Sequence, residues 1–174
     1  MRAKGFEKAK INVASMKSYL SQFYRSDALN LLWVGQAWLA KANIAKDDPA
    51  VVAELHVGEA LVERSVELDE RAAYGAGRAA LGAYHARTAM AELDQSLKHF
   101  MRAIEVTRGN ALLPKVTLAK TYYCMKSDKA SYEKTLREVV DAGDVLPEQR
   151  LQNTIAKRRA RRYLTKSRMA ACGF

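Results

Sequence analysis

Residues that break helices are scarce in this sequence, which has 3 Pro and 9 Gly among 174 residues. With 49% hydrophobic residues, this composition predicts one compact domain over residues 1–174 and excludes a disordered or fibrous chain.

Cysteine is also scarce. The number and spacing of Cys124 and Cys172 predict neither a disulfide framework nor a zinc site, so we expect a core or cavity residue at Cys124 and a thiol in a frayed tail at Cys172.

Long apolar runs are missing as well. The longest strongly apolar stretch without a charged residue is 28–40, with 13 residues, whereas a membrane-spanning helix needs about 20. Charged residues among the first ten leave no room for the apolar segment of a cleavable signal sequence. From these two features we expect a soluble chain.

Acidic residues are absent from the end of the chain, where none follows Glu148. Residues 1–26 carry a net charge of +5 and residues 147–174 a net charge of +7, while the middle of the chain carries −2. Such basic ends can meet nucleic acid, anionic lipid or an acidic protein surface. The basic residues expected on one face of the last helix, as candidate contacts to an acidic partner, are Arg150, Lys157, Arg161 and Arg168.

Helical periodicity is what the sequence does contain, since apolar residues recur at spacings of three and four almost throughout. Asp48 before Pro49 is a typical helix start, and Asp128 can cap another helix. Gly109 and Gly143 follow apolar runs, where a left-handed residue would end a helix. We predict eight helices, over residues 6–24, 28–45, 49–68, 72–87, 93–108, 112–126, 129–142 and 148–169.

These helices repeat in pairs. Ser96, Phe100 and Ala103 have the small-large-small spacing of the second helix of a tetratricopeptide (TPR) unit, and Leu81-Gly82 has the Leu-Gly position of the first helix. Similar sets recur 38 residues earlier and 36 residues later. Both spacings are close to the 34-residue length of an ideal TPR unit. The sequence therefore predicts an all-α, TPR-like helical repeat of stacked antiparallel pairs with a basic C-terminal capping helix; a generic helical bundle is the alternative.

Close packing explains this pattern. No single pair can bury its apolar side alone, so stacked pairs should form a curve whose concave side commonly binds a partner. Small residues let the partner helix approach, and larger ones fill the space between adjacent pairs. The small residues are Gly35, Gly82 and Ala119, and the larger ones are Val62, Phe100 and Leu136.

Aromatic residues fall on the first helices of successive pairs, which line the concave side of a TPR stack. Each ring can either fill the packing position of its unit or contact a ligand. Trp38 and Tyr122 are the main candidates for the packing position. Because adjacent residues point about 100° apart on a helix, Tyr122 and Tyr123 cannot both face the same neighbour, which leaves one for a ligand. The candidate ligand or partner contacts are Trp33, Trp38, Tyr84, Tyr122 and Tyr123.

Signals for catalysis or cofactor binding are weak. Residues 75–80 match the Gly-x-Gly-x-x-Ala form of the dinucleotide fingerprint, but the segment before them is predicted to be helical and not a strand, which favours small-residue helix packing. His56, His85 and His99 lie on different predicted helices without the spacing of a metal site. Neither cysteine has an activating histidine nearby. We expect no enzymatic activity, no cofactor and no metal.

Five stretches between about Ala28 and Leu164 carry a more specific signal: LLWVGQAW, DDPAVVAEL, YGAGRAALGAYHA, HFMRAIEV and PEQRLQNTIAKRRARRYL. With them the sequence resembles the TatT family, the T component of TPR-protein-associated tripartite ATP-independent periplasmic (TRAP) transporters. The resemblance implies a periplasmic homotrimer that pairs with the transporter's solute-binding protein. It also implies membrane attachment only through a lipid anchor, for which this sequence shows no signal.

The function implied by this resemblance is that of an accessory subunit of a TRAP-type solute uptake system. The subunit would bind the solute-binding protein and, on an aromatic concave surface, a hydrophobic or amphipathic small molecule. Two alternatives stay open. One is a TPR adaptor for an extended peptide or an acidic partner; the other is nucleic-acid binding through the basic ends, which the lack of a recognisable reading motif disfavours.

Overall fold

A computed structural model describes residues 5–87 and 92–174, and all regular secondary structure in these ranges is helical, which confirms the all-α class. The chain falls into two compact units, the first ending at Ala73 and the second beginning at Tyr74. The first unit contains α1 (Phe6–Ala9), α2 (Val13–Leu20), α3 (Ala28–Ile44), α4 (Pro49–Ala53) and α5 (Leu55–Asp69). The second contains α6 (Ala76–His85), α7 (Leu93–Val106), α8 (Leu113–Leu118), α9 (Lys129–Asp141), α10 (Arg150–Tyr163) and α11 (Lys166–Ala170).

The first unit is built on the pair α3 and α5, which approach closely because each helix presents a glycine, Gly35 on α3 and Gly58 on α5. A Cβ atom added at Gly35 would lie 2.7 Å from Cγ2 of Val62. Two turns away the buried Ser65 hydroxyl donates a hydrogen bond to the Ala28 carbonyl at 2.7 Å. Helices α1 and α2 supply further core contacts, and the buried residues of this core include Met16, Leu20, Leu31, Val57, Ala60 and Leu61.

The second unit begins with the pair α6 and α7, which repeats this arrangement. A Cβ atom at Gly82 would lie 2.9 Å from ring carbons of Phe100, and the Ser96 hydroxyl donates to the Gly82 carbonyl at 2.7 Å. The predicted small-large-small set is fully buried. However, Phe100, like Val62 in the first unit, packs over the glycine of its own pair, whereas the sequence predicted a place between pairs. The TPR assignment and the single domain stay predictions.

The remaining helices of the second unit surround a core of their own. A π-helical turn, Ala119–Tyr123, continues α8; we call it the π turn. The buried Asn153 of α10 accepts from the Leu112 amide and donates to the Asn110 carbonyl, both at 2.9 Å, and so fixes α10 to the start of α8. The buried residues of this second core cluster are Leu112, Val116, Ala119, Tyr132, Leu136, Val139, Ala156 and Ala160.

Three of the predicted helices are interrupted, which corrects their boundaries. The first ends at Ala9, because the side chain of Asn12 accepts a hydrogen bond from the Ser15 amide at 2.8 Å and starts α2. The third divides at Glu54 into α4 and α5. The eighth divides before Lys166, where the backbone of Thr165 is extended. At Asn12 local capping therefore competes with the continuous apolar pattern.

The predicted helix ends are confirmed at three positions and wrong at one. Asp48 and Asp128 each accept a backbone hydrogen bond at the start of the following helix, at 2.9 and 3.0 Å. Gly109 has a left-handed backbone with φ of 76° beyond the end of α7. Gly143 has no positive φ, since the residue that ends α9 is Ala142 in an extended conformation.

The prediction for the two cysteines is wrong, because Cys124 and Cys172 form a disulfide across 48 residues of sequence. The chain turns back after α10, and the ring of Phe174 then packs against Tyr132 with centroids 5.1 Å apart. This fold-back brings the tail to the π turn. The pairing depends on the break at Thr165, which the apolar pattern does not show.

We expect Gly82→Ala to lower the free energy of unfolding by about 1 to 3 kcal/mol, because the new methyl group would overlap the buried Phe100 ring. Urea unfolding measures this loss. Gly143→Ala is the matched control, since a Cβ atom there meets no atom within 4 Å, and its stability should stay the same or rise slightly. Equal midpoints for the two variants would contradict the close approach of α6 and α7.

Reduction of the disulfide should lower the free energy of unfolding by about 4 kcal/mol, the loop-entropy value for a 48-residue closure. Urea unfolding with and without dithiothreitol measures the difference. The double variant Cys124→Ser with Cys172→Ser should unfold at one midpoint in both buffers. Two reactive thiols in the native, unreduced parent would contradict the bond.

Candidate functional site

An apolar stripe runs along the exposed side of α3. Its members, which we call the α3 stripe, fall within about 80° of each other around the helix axis at 100° per residue. Trp33 is 53% exposed and Ile44 is 86% exposed. The stripe contains no charged residue in a chain of net charge +10. It consists of Leu29, Trp33, Ala37, Ala40 and Ile44.

The other predicted tryptophan is a packing residue. The Trp38 ring meets Phe6 edge-on, with centroids 5.6 Å apart. The ammonium groups of Lys10 and Lys41 lie 5.5 and 5.7 Å from the ring, in the geometry of cation–π contacts. The indole Nε1 is buried, with no hydrogen-bond partner in the part of the chain that the structure describes. Trp38 therefore joins the start of the chain to α3, while Trp33 faces outward.

Three predicted tyrosines lie in the second unit. Tyr122 and Tyr123 both belong to the π turn, and their rings meet at 5.5 Å in an edge-on contact. Tyr123 packs against the second core cluster, and burial, followed by the charge of Asp128, raises the pKa of its hydroxyl. Tyr84 meets the ring of His85 at 5.3 Å. All three side chains are half-buried.

A partly buried polar cluster between α6 and α7 was missed by the sequence analysis. The rings of His85 and His99 stack with centroids 5.3 Å apart, and Nδ1 of His85 lies 2.7 Å from the Glu92 carboxylate. Arg78 lies 3.4 Å from Nδ1 of His99, which accepts from the guanidinium when the ring is neutral. Burial, then the charges of Arg78 and His85, lower the pKa of His99 to about 4.

A sequence signal for this histidine pair was present. Ser96 contacts Gly82 through a hydrogen bond. His85 lies three residues after Gly82 and His99 three residues after Ser96, and residues three apart share a helix face.

Within the described ranges, no three His, Cys, Asp or Glu side chains are grouped to hold a metal ion. None of the helices in those ranges is long and apolar enough to cross a membrane.

The predicted basic contacts are divided between two helices and are partly engaged. Arg150 at the start of α10 pairs with the carboxylate of Asp144. Lys157 donates to the carbonyl of Gly143 at 3.2 Å. Arg161 is exposed on α10, but Arg168 belongs to α11, beyond the break at Thr165. Arg150, Lys157 and Arg161 therefore share one face of α10. Arg168 does not, although the sequence had predicted that all four would share one helix face.

A model of the family described as TAtT, the TRAP transporter T-component, matches residues 2–170 of the 174-residue chain. The resemblance inferred from the sequence is thereby confirmed. No curated protein matches the chain. The match extends over all the helices described above and is not limited to one motif.

The low pKa of His99 predicts a loss of stability in mild acid. Between about pH 6.5 and about 4 the unfolded chain binds a proton at His99 that the folded chain does not bind, so the free energy of unfolding falls as the pH is lowered through this range. Urea unfolding at pH 7, 6 and 5 should show a smaller decrease for His99→Gln than for the parent. A nuclear magnetic resonance titration of the ring should have its midpoint near 4, and a midpoint near 6.5 would contradict the prediction.

Proposed function

The chain belongs to the T-component family of TRAP transporters, and we propose that it is a non-enzymatic accessory subunit that binds the solute-binding protein of such a transporter. The family match over residues 2–170 carries this proposal. The family is one of extracytoplasmic transport components. We further propose a periplasmic homotrimer in which residues 1–174 act as one TPR-like domain.

The α3 stripe is the surface that we propose for the partner contact. Contiguous apolar surface on a monomer commonly marks an interaction site, and exposed tryptophan is enriched among the residues that dominate binding energy. Trp33 lies within the stripe, with Leu29 one turn before it and Ala37 one turn after. A hydrophobic or amphipathic small molecule beside Tyr84 and Tyr122 is a second proposed ligand.

The disulfide supports the periplasmic location. Disulfide bonds form and persist in oxidising compartments, including the bacterial periplasm, and are rare in the cytosol. The bond between Cys124 and Cys172 joins elements far apart in sequence and fixes the C-terminal tail. A structural bond of this kind agrees with the extracytoplasmic character of the family.

We expect Trp33→Ala to weaken binding to the solute-binding protein of the same transporter about tenfold or more, because buried interface tryptophans are enriched among the residues whose truncation costs most. Isothermal titration calorimetry measures the affinity. Circular dichroism of the variant should match the parent, because the ring is largely exposed.

Light scattering of the parent alone should report the mass of three chains.

The matched control is Leu151→Ala, which truncates a side chain that is 68% exposed in the second unit, and it should bind as the parent does. Unchanged affinity of Trp33→Ala would remove the α3 stripe from the interface. Binding that is lost on neutralising Arg161 and Arg168, and that falls steeply with salt, would favour the acidic-partner or nucleic-acid alternative.

A further inference from the structure

The solvent-facing side of α10 combines large apolar side chains with arginines. At 100° per residue, the buried residues Asn153, Ala156 and Ala160 fall within about 60° of one another around the helix axis. The members of the opposite side, which we call the outer face, span a similar arc and are all exposed. The outer face consists of Leu151, Ile155, Arg158 and Arg162.

The apolar part of the outer face lies toward the start of α10. Leu151 is 68% exposed and Ile155 is 38% exposed, and the two residues lie about one turn apart. Apolar side chains scattered singly over a surface are normal, whereas neighbouring ones form a small patch. Such a patch on a basic helix can enter the headgroup region of a lipid bilayer.

The cationic part of α10 has no carboxylate to balance it. The helix contains six basic residues and no acidic one, and no acidic residue follows it in the sequence. Among the described residues, no ion pair engages the guanidinium of Arg158 or of the neighbouring Arg161. The guanidinium of Arg162 lies 5.4 Å from the ring of Tyr163, which supplies no negative charge.

The spacing of these cations destabilises the helix. Arg161 follows Lys157 by four residues, and Arg162 follows Arg158 by four residues. Residues at this spacing are neighbours on a helix surface, and like charges there lower helix stability. A negatively charged surface would supply the missing counter-charge and remove the repulsion.

This combination of features favours a lipid surface over nucleic acid or an acidic protein. The positive charge continues into α11, where Lys166 and Arg168 are exposed, and a run of cations beside an apolar patch suits a membrane of uniform negative charge. Apolar side chains gain from contact with lipid and not from contact with phosphate groups alone. The family is one of extracytoplasmic transport components, and a transporter resides in a membrane.

We propose that the outer face, together with Arg161 and the exposed cations of α11, docks on a membrane surface that contains anionic phospholipid. The arginines bind lipid phosphate groups, which guanidinium contacts through two parallel hydrogen bonds. Leu151 and Ile155 enter the headgroup region. The outer face lies in the second unit, whereas the α3 stripe lies in the first, so this proposal does not rest on the proposed partner contact.

The test is co-sedimentation of the full chain with vesicles of phosphatidylglycerol and phosphatidylcholine in equal parts, and with vesicles of phosphatidylcholine alone. The parent should bind the mixed vesicles tenfold or more tightly than the neutral ones. The double variant Arg158→Gln with Arg161→Gln should bind the mixed vesicles tenfold or more weakly than the parent, because each cation near an anionic bilayer adds to the attraction. Raising the salt from about 0.1 M to about 1 M should also weaken binding, since the Debye length falls from about 10 to about 3 Å.

The matched control is Lys134→Gln with Arg137→Gln, which removes two exposed cations at the same spacing from α9 and should bind vesicles as the parent does. The α10 double variant should melt at or above the parent's temperature, because like-charge repulsion is reduced. Its affinity for the solute-binding protein should be unchanged, which separates this proposal from the proposed function. Leu151→Ala should weaken binding to the mixed vesicles several-fold, since an apolar contact is lost.

Three results would overturn the proposal. Equal weakening by the α9 and α10 double variants would mean general charge attraction and not a docking face. Equal binding of the mixed and the neutral vesicles would remove the role of anionic lipid. Binding of a hexaglutamate peptide or of duplex DNA, without binding of the mixed vesicles, would indicate an acidic protein or nucleic acid as the partner.

Discussion

Close contact between paired helices at glycine is the constraint on which the helix pairs depend. At Gly35 and at Gly82 the partner side chain already occupies the space of a Cβ atom, so the helices meet at a separation that no other residue permits without rearrangement. The serine hydrogen bonds to Ala28 and Gly82 need the same separation. In α3 this contact also determines which residues face outward, because Trp33 lies about 160° around the axis from Gly35.

The sequence predicts those features that depend on local spacing. The buried set around Phe100, the caps at Asp48 and Asp128 and the all-helical class follow from periodicity and from short-range hydrogen bonding. The interruption at Asn12 was not predicted, because a side-chain cap can replace the next helical turn at little cost when the apolar pattern continues beyond it. The interruption at Thr165, where no side chain caps α11, was not predicted either.

Contacts between distant segments account for the rest of what was missed. The disulfide needs the chain to fold back after α10, and no residue pattern near Cys172 shows this. Among the candidate aromatic contacts, the sequence could name Trp33 and Trp38 alike, and only the structure shows that the Trp38 ring packs on Phe6 while Trp33 is exposed.

The disulfide encloses α9, α10 and α11 in one covalent ring with the end of the π turn. A protease that cuts a single peptide bond within this ring, for example in the exposed segment 143–145 between α9 and α10, does not release a fragment. Both pieces stay joined through sulfur, and the side chains of the second core cluster remain on linked chains. The segment 124–172 therefore stays in one covalently linked piece after one backbone cleavage, a useful property where extracytoplasmic proteases are present.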